Sequence, residues 1–339
     1  MRKNRPLVWL IPLILLLLLI PFVVPSALTY AGAEGDSLPV YAPVELAGKH
    51  PEPLSMPDPS VPSPDHYEAN PDCFIYDEAT GLPCGYQDDT IYIKIETGTV
   101  RGNLVYFTWV QIADASQMRT FARRSDSYPD RMAKTLDSLL AVNADWFSDR
   151  AGGIIYRNGV LMRAEKDAPR HDVMIIDDEG DCHILRHPSL DDFKPYEGHI
   201  LHSFLFGPGL VINGELMTSD TETFVQNHYG TGNGMGLTNR TQRQIFCQMG
   251  KLSYLIITTE GPQETKDGGF TAAEAADLAY AMGAVNAYNF DGGNSACVIM
   301  KNPRANTYVK LNRYKKTARS IPDLIYFVTA VPSAAADPQ

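Results

Sequence analysis

The sequence lacks the paired cysteine and histidine spacings that identify metal and redox sites. It has five cysteines and eight histidines but no CxxC, HxH or HExxH pattern. Structural zinc sites and thiol redox motifs need such spacing, so we expect neither. Positive charge is also scarce, since 29 basic residues against 40 acidic ones give a net charge of −11. That balance argues against nucleic acid or an anionic surface as a partner, but it permits a local basic pocket for phosphate.

Long apolar runs are absent from most of the chain, with one exception near its start. Basic residues precede an almost wholly apolar stretch from Leu7 to Val24, which is typical of a secretory signal or a signal anchor. A bilayer takes roughly 20 residues to cross, so we favour a retained single-pass anchor at residues 1–26. Cleavage near Ala31, which would give a secreted protein, is the alternative. The positive-inside rule then places the rest of the chain outside the cytoplasm, at the cell membrane.

Proline is concentrated in one segment. Residues 39–71 contain nine prolines, a composition that favours an extended spacer over a packed core. We therefore assign residues 27–71 to an extracytoplasmic linker and residues 72–331 to one domain, which is long enough to bury a sizeable core. Residues 332–339 are predicted to be a disordered tail.

The five cysteines divide into two groups by their surroundings. Cys73 and Cys84 bracket a short loop, and outside the cytoplasm a bridge between them would be permitted. Cys182, Cys247 and Cys297 lie in apolar, strand-like runs and are predicted to be buried thiols.

Turn signals divide the domain into repeated hairpins. An Asn-Gly pair separates two short strands within residues 152–162, and the same strand-turn-strand pattern recurs at 173–185, 206–216 and 242–259. The expected fold class is α+β, with a mixed β-sheet core built from hairpins plus a β-α-β unit. It would form a single catalytic-type domain after an N-terminal membrane segment.

The predicted β-α-β unit covers residues 252–290. Its helix opens with a capping box, Thr271-Ala-Ala-Glu274, between two apolar strands. In such units ligands gather at the carboxyl ends of the strands. Glu260 follows the first strand and Asp291 follows the second, so we expect the two carboxylates at one edge.

The turn after the second strand reads Asp291-Gly292-Gly293-Asn294-Ser295. Glycines allow a close approach of the backbone to a ligand, and successive N–H groups can form a nest for an anion. A tight hairpin turn is the alternative. Arg243 begins the neighbouring strand and would either grip a phosphate in a bidentate manner or form a structural ion pair. The preceding triplet, Asn239-Arg240-Thr241, fits the glycosylation sequon and is given little weight.

Polar residues also follow an earlier buried strand. Asn143 could orient a ligand, and Trp146, close to Asp145, could stack on a sugar face. All three residues would equally suit a plain turn. Arg319 precedes the last strand and is a second candidate anion ligand, with a solvated basic loop as the alternative.

In this order, the segments resemble the phosphodiester glycosidase domain family, typified by the uncovering enzyme, N-acetylglucosamine-1-phosphodiester alpha-N-acetylglucosaminidase. The similarity covers roughly residues 90–330, and its most specific part is the A-x-N-x-DGG-x-S pattern that ends at Ser295. Bacterial relatives are often described as related to exopolysaccharide. The chain departs from the family where Asn294 replaces a glycine, Gln244 replaces a threonine and Glu260-Gly261-Pro262 replaces Asp-Gly-Arg.

The resemblance implies an extracytoplasmic glycosidase that hydrolyses a sugar-1-phosphodiester bond in a glycan or envelope polymer. The predicted catalytic residues are Asp291, Glu260, Asn143 and Arg243. The predicted substrate-binding residues are Gly292, Gly293, Asn294, Ser295, Arg319, Asp145 and Trp146. No cofactor is expected to be required, although a calcium ion on Asp145, Asp291 and Glu260 stays an open alternative. The expected partners are the carbohydrate phosphodiester and, through the N-terminal segment, a membrane.

Two other functional classes fit the same residues. One is a non-catalytic polysaccharide- or cell-wall-binding protein that uses the same pocket. The other is a structural factor for envelope polymer assembly that acts through its anchor. Ligand binding without product would indicate the first, and indifference to pocket mutations would indicate the second.

Overall fold

Short apolar segments of the chain form β-strands, and helices are few. The computed structural model describes residues 35–40, 42–148, 153–165, 171–217, 236–261, 268–313 and 319–332. The described residues include two α-helices, α1 (Pro129–Thr135) and α2 (Ala272–Ala281). In chain order the strands are β1 (Phe74–Tyr76), β2 (Pro83–Gln87), β3 (Ile91–Val100), β4 (Asn103–Ile112), β5 (Met118–Ser127), β6 (Leu140–Asn143), β7 (Ile154–Arg157), β8 (Val160–Ala164), β9 (Val173–Asp177), β10 (Cys182–Leu185), β11 (Ile200–Leu205), β12 (Gly209–Ile212), β13 (Glu215–Leu216), β14 (Gln244–Gly250), β15 (Ser253–Thr259), β16 (Asn286–Phe290), β17 (Val298–Asn302), β18 (Thr307–Lys310) and β19 (Ile321–Phe327).

Two of the predicted terminal segments fall outside these ranges. The membrane segment at residues 1–26 lies outside the described residues, as does all but the first residue of the predicted tail at 332–339. Among the residues that are described, no helix is long and apolar enough to cross a membrane.

The strands form two large sheets and two small ones. A nine-stranded sheet has the order β1-β2-β3-β4-β15-β14-β16-β12-β13, and a five-stranded sheet has the order β18-β17-β6-β19-β5. β10, β9 and β11 form a third sheet, and β7 and β8 pair as a hairpin. The strands predicted around the Asn-Gly turn and at 173–185, 206–216 and 242–259 are all present.

One continuous core fills the space between the two large sheets. Aromatic side chains of the nine-stranded sheet, such as Phe246, Tyr288 and Phe290, pack in the same buried cluster as Val142 and Ile325 of the five-stranded sheet. Burying one such side chain contributes roughly 1.5–3 kcal/mol. The core therefore fixes how the strand ends of the two sheets meet.

The predicted mixed sheet is wrong in one respect. Every strand pair recorded among the described residues is antiparallel. β15 and β16 do run in the same direction, as the β-α-β prediction requires, but β14 lies between them and is antiparallel to both. The crossover through α2 therefore skips one strand, and the unit is a split β-α-β.

The start of α2 matches its sequence signal. The Thr271 hydroxyl accepts a bond from the Glu274 amide at 3.2 Å, while the Glu274 carboxylate accepts one from the Thr271 amide at 3.0 Å. Ala275, Leu278 and Ala279 are buried against the sheet. This reciprocal cap orients Glu274 at the first turn of the helix, close to the strand edge described below.

The proline-rich segment is extended but does not act as a free spacer. Arg119 donates to the carbonyl oxygens of Ser55 and Asp65 at 2.8 and 3.0 Å, and the Ala122 amide donates to Pro59. Leu46 is 4% exposed. Residues 42–70 therefore lie along the domain and form part of it, because polyproline-like backbone offers unpaired carbonyls to neighbouring donors.

The strand register separates Cys73 from Cys84. Phe74 pairs with Tyr86, and Cys84 lies at a bulge beside Ile75 and Tyr76. Both cysteines are free thiols, because the register offsets them by about three residues along the ladder, too far for a bridge. The buried thiols predicted at the other three positions are confirmed.

Candidate active site

One edge of the nine-stranded sheet gathers the polar residues predicted from the β-α-β unit. Gln244 of β14 pairs with both Thr258 of β15 and Phe290 of β16. The residues just beyond this line are Arg243, Glu260 and Asp291. The prediction that both carboxylates follow parallel strands at a single edge is therefore confirmed by the register.

A pocket of about 380 Å³ opens at this edge. Four predicted site residues line it: Arg243, Asp291, Gly292 and Gly293. The other lining residues are Phe206, Gly207, Gly236, Leu237, Asn239, Arg240 and Thr241. Asp291 is the one carboxylate among these lining residues, and Arg240 and Arg243 are the two cations.

The glycines of the Asp291–Ser295 turn are required by the neighbouring strand. A Cβ at Gly292 would overlap the carbonyl oxygen of Gln242, and Gly293 has φ +56°. The Gly293 amide donates to that same carbonyl at 2.9 Å, and the amides of Asp291 and Ser295 donate to Ala144 and Gly292. These three N–H groups are used within the protein. The expected anion nest is therefore wrong for them, and the turn is held against β14 instead.

The Asn143 side chain makes hydrogen bonds to the backbone at the start of this turn and just after its end. Its Nδ2 donates to the Asp291 carbonyl at 2.6 Å, and its Oδ1 accepts a bond from the Cys297 amide at 3.0 Å. The side chain is 1% exposed. Both recorded bonds go to backbone groups, so Asn143 positions the turn that carries Asp291 and does not itself line the pocket.

Arg243 binds the backbone of residues 236–239 and of Phe270 beside the pocket. Its Nε donates to the Phe270 carbonyl at 2.9 Å, and its Nη2 donates to Gly236 and Asn239 at 2.9 and 2.8 Å. A weaker bond reaches Leu237 at 3.3 Å. Burial lowers the pKa of Arg243 to about 10, which leaves the guanidinium charged at neutral pH. All these acceptors are neutral carbonyls, so its positive charge is retained beside the pocket.

Glu260 lies at the same edge but is not among the residues that line the pocket. It is fully buried, and its carboxylate accepts a bond from the Arg313 amide. Its negative charge also opposes the effect of burial on Lys310, whose pKa is lowered by desolvation. Glu260 therefore fixes the chain around residues 310–313 at this edge.

Asp145 belongs to a separate buried cluster. Arg157 Nη2 contacts Asp145 Oδ1 at 2.5 Å and Asp323 Oδ2 at 3.3 Å, and all three side chains are almost completely buried. Burial, followed by the charge of Asp145, raises the pKa of Asp323 well above its ordinary value. Asp145 is thus paired inside the protein and is not among the residues that line the pocket.

Trp146 and Arg319 pair with each other. The Arg319 guanidinium carbon lies 3.6 Å from the centroid of the Trp146 ring, and the Arg319 amide donates to the Asn294 carbonyl at 3.3 Å. Arg319 therefore occupies one face of the indole that was expected to stack on a sugar. The pair lies beside the Asp291–Ser295 turn through Asn294, where Ser295 is buried and Asn294 is exposed.

The described part of the chain shows no cluster of side chains that could bind a metal ion. Within it, no three histidine, cysteine or carboxylate side chains are placed to hold an ion. Asp145 is held by Arg157, and Glu260 is held by the Arg313 amide, so the calcium cage considered from Asp145, Asp291 and Glu260 does not form there.

Sequence patterns missed several residues that line the pocket. Phe206 and Gly207 reach it because the Phe206 amide donates to the Tyr288 hydroxyl at 2.9 Å and Asn289 donates to the Gly207 carbonyl at 2.8 Å. For Arg240, the sequence showed only that it is the middle residue of a glycosylation sequon. The Gly-Pro-Gly turn at 207–209 is a hint in the sequence, because such turns bring the backbone close to neighbouring groups.

Comparisons with known proteins give a family match and two similar folds. Residues 137–328 match the family model described as phosphodiester glycosidase. The catalytic domain of zebrafish N-acetylglucosamine-1-phosphodiester alpha-N-acetylglucosaminidase, solved in a form auto-inhibited by its pro-peptide, is similar in fold. It has a TM-score of 0.53 and 18% identity, and the match covers 82% of this chain and 99% of that one.

A hypothetical protein from Synechocystis is similar at a TM-score of 0.52 and 12% identity, with 70% of this chain and 62% of that chain covered. A comparison with curated protein sequences found no significant match. At these identities the structural likeness concerns the fold, and the family match is the stronger finding.

Proposed function

Because the chain belongs to the phosphodiester glycosidase family, we propose that it hydrolyses the bond between a sugar's anomeric carbon and a phosphodiester oxygen. The proposed substrate is part of a glycan or envelope polymer. The observation that carries the proposal is a pocket in which one carboxylate, Asp291, lies with two cations, Arg240 and Arg243. Both kinds of group are needed at such a bond.

Asp291 is assigned to the sugar side of the reaction. Hydrolysis of a glycosidic bond passes through an oxocarbenium-like state that a nearby carboxylate stabilises or attacks. Asn143 clamps the Asp291 carbonyl, which holds the turn in place during that step. An alignment of this kind contributes to the rate because the carboxylate need not be oriented during the reaction.

The arginines are assigned to the phosphate side. The leaving group is a phosphate, which departs as an anion, and fixed positive charge stabilises the charge that develops on it. A good leaving group also reduces the need for a general acid. This fits an edge at which the second carboxylate, Glu260, is buried against the Arg313 amide.

The test is release of free sugar by the full-length protein from a panel of sugar-1-phosphate diesters. Asp291→Asn is expected to lower the rate by about 10³-fold, in the range found for catalytic carboxylates, with an unchanged melting temperature. Asp277→Asn is the matched control, because Asp277 is a partly exposed carboxylate near Arg101. Full activity of Asp291→Asn would contradict the proposal.

A non-catalytic glycan-binding protein is the second candidate. It is favoured by one observation: glycoside hydrolases generally use two carboxylates, and the pocket is lined by one among the described residues. Saturable binding of a sugar-1-phosphodiester by the folded wild type, without release of sugar, would select this function.

Extracytoplasmic location at the membrane is part of the proposal. It is supported by the basic residues that precede the apolar run from Leu7 to Val24. A reporter enzyme that is active only outside the cytoplasm, fused after Gln339, tests it. An inactive reporter with a stable fusion would reject this location.

A further inference from the structure

The two arginines that line the pocket have different surroundings. Arg243 is 5% exposed, and its recorded bonds run to four backbone carbonyls. The side chain of Arg240 is 42% exposed, so more of its surface is open to a molecule that enters from solvent. A cation that binds a ligand directly needs donors on its accessible side, and Arg240 meets that requirement better.

The Arg240 guanidinium is held without using up its donors. Nη1 donates to the Gly269 carbonyl at 3.0 Å, and Nη2 contacts the Glu274 carboxylate. A guanidinium has five N–H donors, so these two bonds leave three. The Glu274 carboxylate is 12% exposed and is shared with Arg101. It therefore does not depend on Arg240 alone for a cation, and Arg240 can exchange this partner for a phosphate.

Glu274 keeps other partners if Arg240 turns towards a ligand. Arg101 Nη1 lies 3.3 Å from the same carboxylate oxygen, and the other oxygen accepts the Thr271 amide at the start of α2. The carboxylate would therefore stay neutralised and in place.

Arg243 and Arg240 are mechanically linked. Nη2 of Arg243 donates to the carbonyl of Asn239 at 2.8 Å, and Asn239 is the residue immediately before Arg240. The buried arginine thus fixes the loop from which the exposed one projects. Arg243 would keep the loop rigid, and Arg240 would contact the ligand.

We propose that Arg240 binds the phosphodiester group of the substrate directly, and that Arg243 is a positioning residue for the Arg240 loop. The inference rests on the proposed function and names the binding residue within it. The ligand class is a phosphodiester monoanion, which the planar guanidinium can hold through two parallel hydrogen bonds.

The experiment measures binding of dimethyl phosphate, a phosphodiester without sugar, to the full-length protein by calorimetry and by ³¹P line broadening. Arg240→Gln is expected to weaken binding about tenfold or more, the usual effect of losing a charge-assisted hydrogen bond. The matched control is Arg131→Gln, which removes an exposed arginine that packs over the Tyr128 ring outside the pocket and is expected to stay within about twofold of wild type. Arg240→Lys is expected to bind with intermediate strength, because it keeps the charge and loses the planar fork.

The outcomes separate this inference from the proposed function. Binding that depends on Arg240, without release of sugar from any diester, would keep the inference and overturn the glycosidase activity. Sugar release that is equally sensitive to Arg240→Gln and Arg131→Gln would keep the activity and overturn the inference, as would a wild type that binds no dimethyl phosphate. If Arg240→Gln unfolds, as judged by circular dichroism, the Arg240→Lys and Arg131→Lys pair gives the same comparison.

Discussion

The pocket edge and the Asp145–Arg157–Asp323 cluster both place a buried arginine near carboxylates, yet they differ in what the arginine contacts. Arg157 contacts two carboxylates at 2.5 and 3.3 Å. Arg243 contacts only carbonyl oxygens in its recorded bonds. Carbonyls satisfy donors without cancelling a charge. The comparison teaches that carboxylates cancel the charge of Arg157 inside the protein, whereas carbonyls leave Arg243 with a positive charge beside the pocket.

The largest effect on stability is expected at Arg157. Arg157→Met would leave Asp145 buried without its cation, which costs about 3–5 kcal/mol. Urea unfolding measures this loss. The triple variant Arg157→Met, Asp145→Asn, Asp323→Asn is the control, because it removes the charges together and is expected to recover most of the stability. A loss below about 1 kcal/mol for Arg157→Met would show that the cluster is not a structural ion pair.

A smaller effect is expected at Asn143, which connects the five-stranded sheet to the pocket. Asn143→Ala removes two buried hydrogen bonds and leaves the Cys297 amide and the Asp291 carbonyl unsatisfied, at a cost of about 1–3 kcal/mol. Because the turn then loosens, kcat on a sugar-1-phosphodiester is expected to fall more than KM changes. Asn143→Asp keeps the Oδ1 acceptor and is expected to recover part of the stability. A change in KM alone would instead indicate that Asn143 contacts the substrate.

At neutral pH the smallest effect concerns a core histidine near the Arg157 cluster, because its contribution appears only on acidification. His202 accepts a bond from the Asn158 amide at 3.2 Å, and burial lowers its pKa to about 3. The folded state thus binds fewer protons than the unfolded state between about pH 3 and 6.5. Stability is therefore lost as pH falls through that window, by up to about 1.4 kcal/mol per pH unit.

His202→Asn isolates this contribution, because the variant cannot take up the proton. Thermal unfolding from pH 7 to pH 4 is expected to show a steeper loss for the wild type than for the variant. Equal slopes would mean that His202 does not titrate with the pKa given by its burial. Asp323, whose pKa is raised, acts in the opposite direction and is present in both proteins.

Local patterns predicted much of the fold because they depend on neighbouring residues. The capping box of α2, the Asn-Gly hairpin and the buried run that became β6 each depend on a few adjacent side chains. The strand pairing order was not predictable in this way. The insertion of β14 between β15 and β16 depends on contacts between distant segments, and the docking of residues 42–70 depends on donors such as Arg119.

The site was predicted in part for the same reason. Arg243, Asp291, Gly292 and Gly293 line the pocket as expected, because a strand end and its turn place them together. Whether Asn143 or Glu260 faces a ligand or the backbone is decided by rotamers and partners from other strands. Arg240 belonged only to the sequon, because its place beside the pocket comes from the loop that Arg243 holds.

The sequence by itself determined the family, the strands of several hairpins, the start of α2, and the edge at which Asp291 and Glu260 lie. Backbone propensity, capping and the period of apolar residues act over short distances, so they can be read along the chain. Only the tertiary structure decided which charges are cancelled. Arg157 is neutralised by aspartates from two separate segments, while Arg243 is held by carbonyls. That difference arises from burial and from partners that packing brings together.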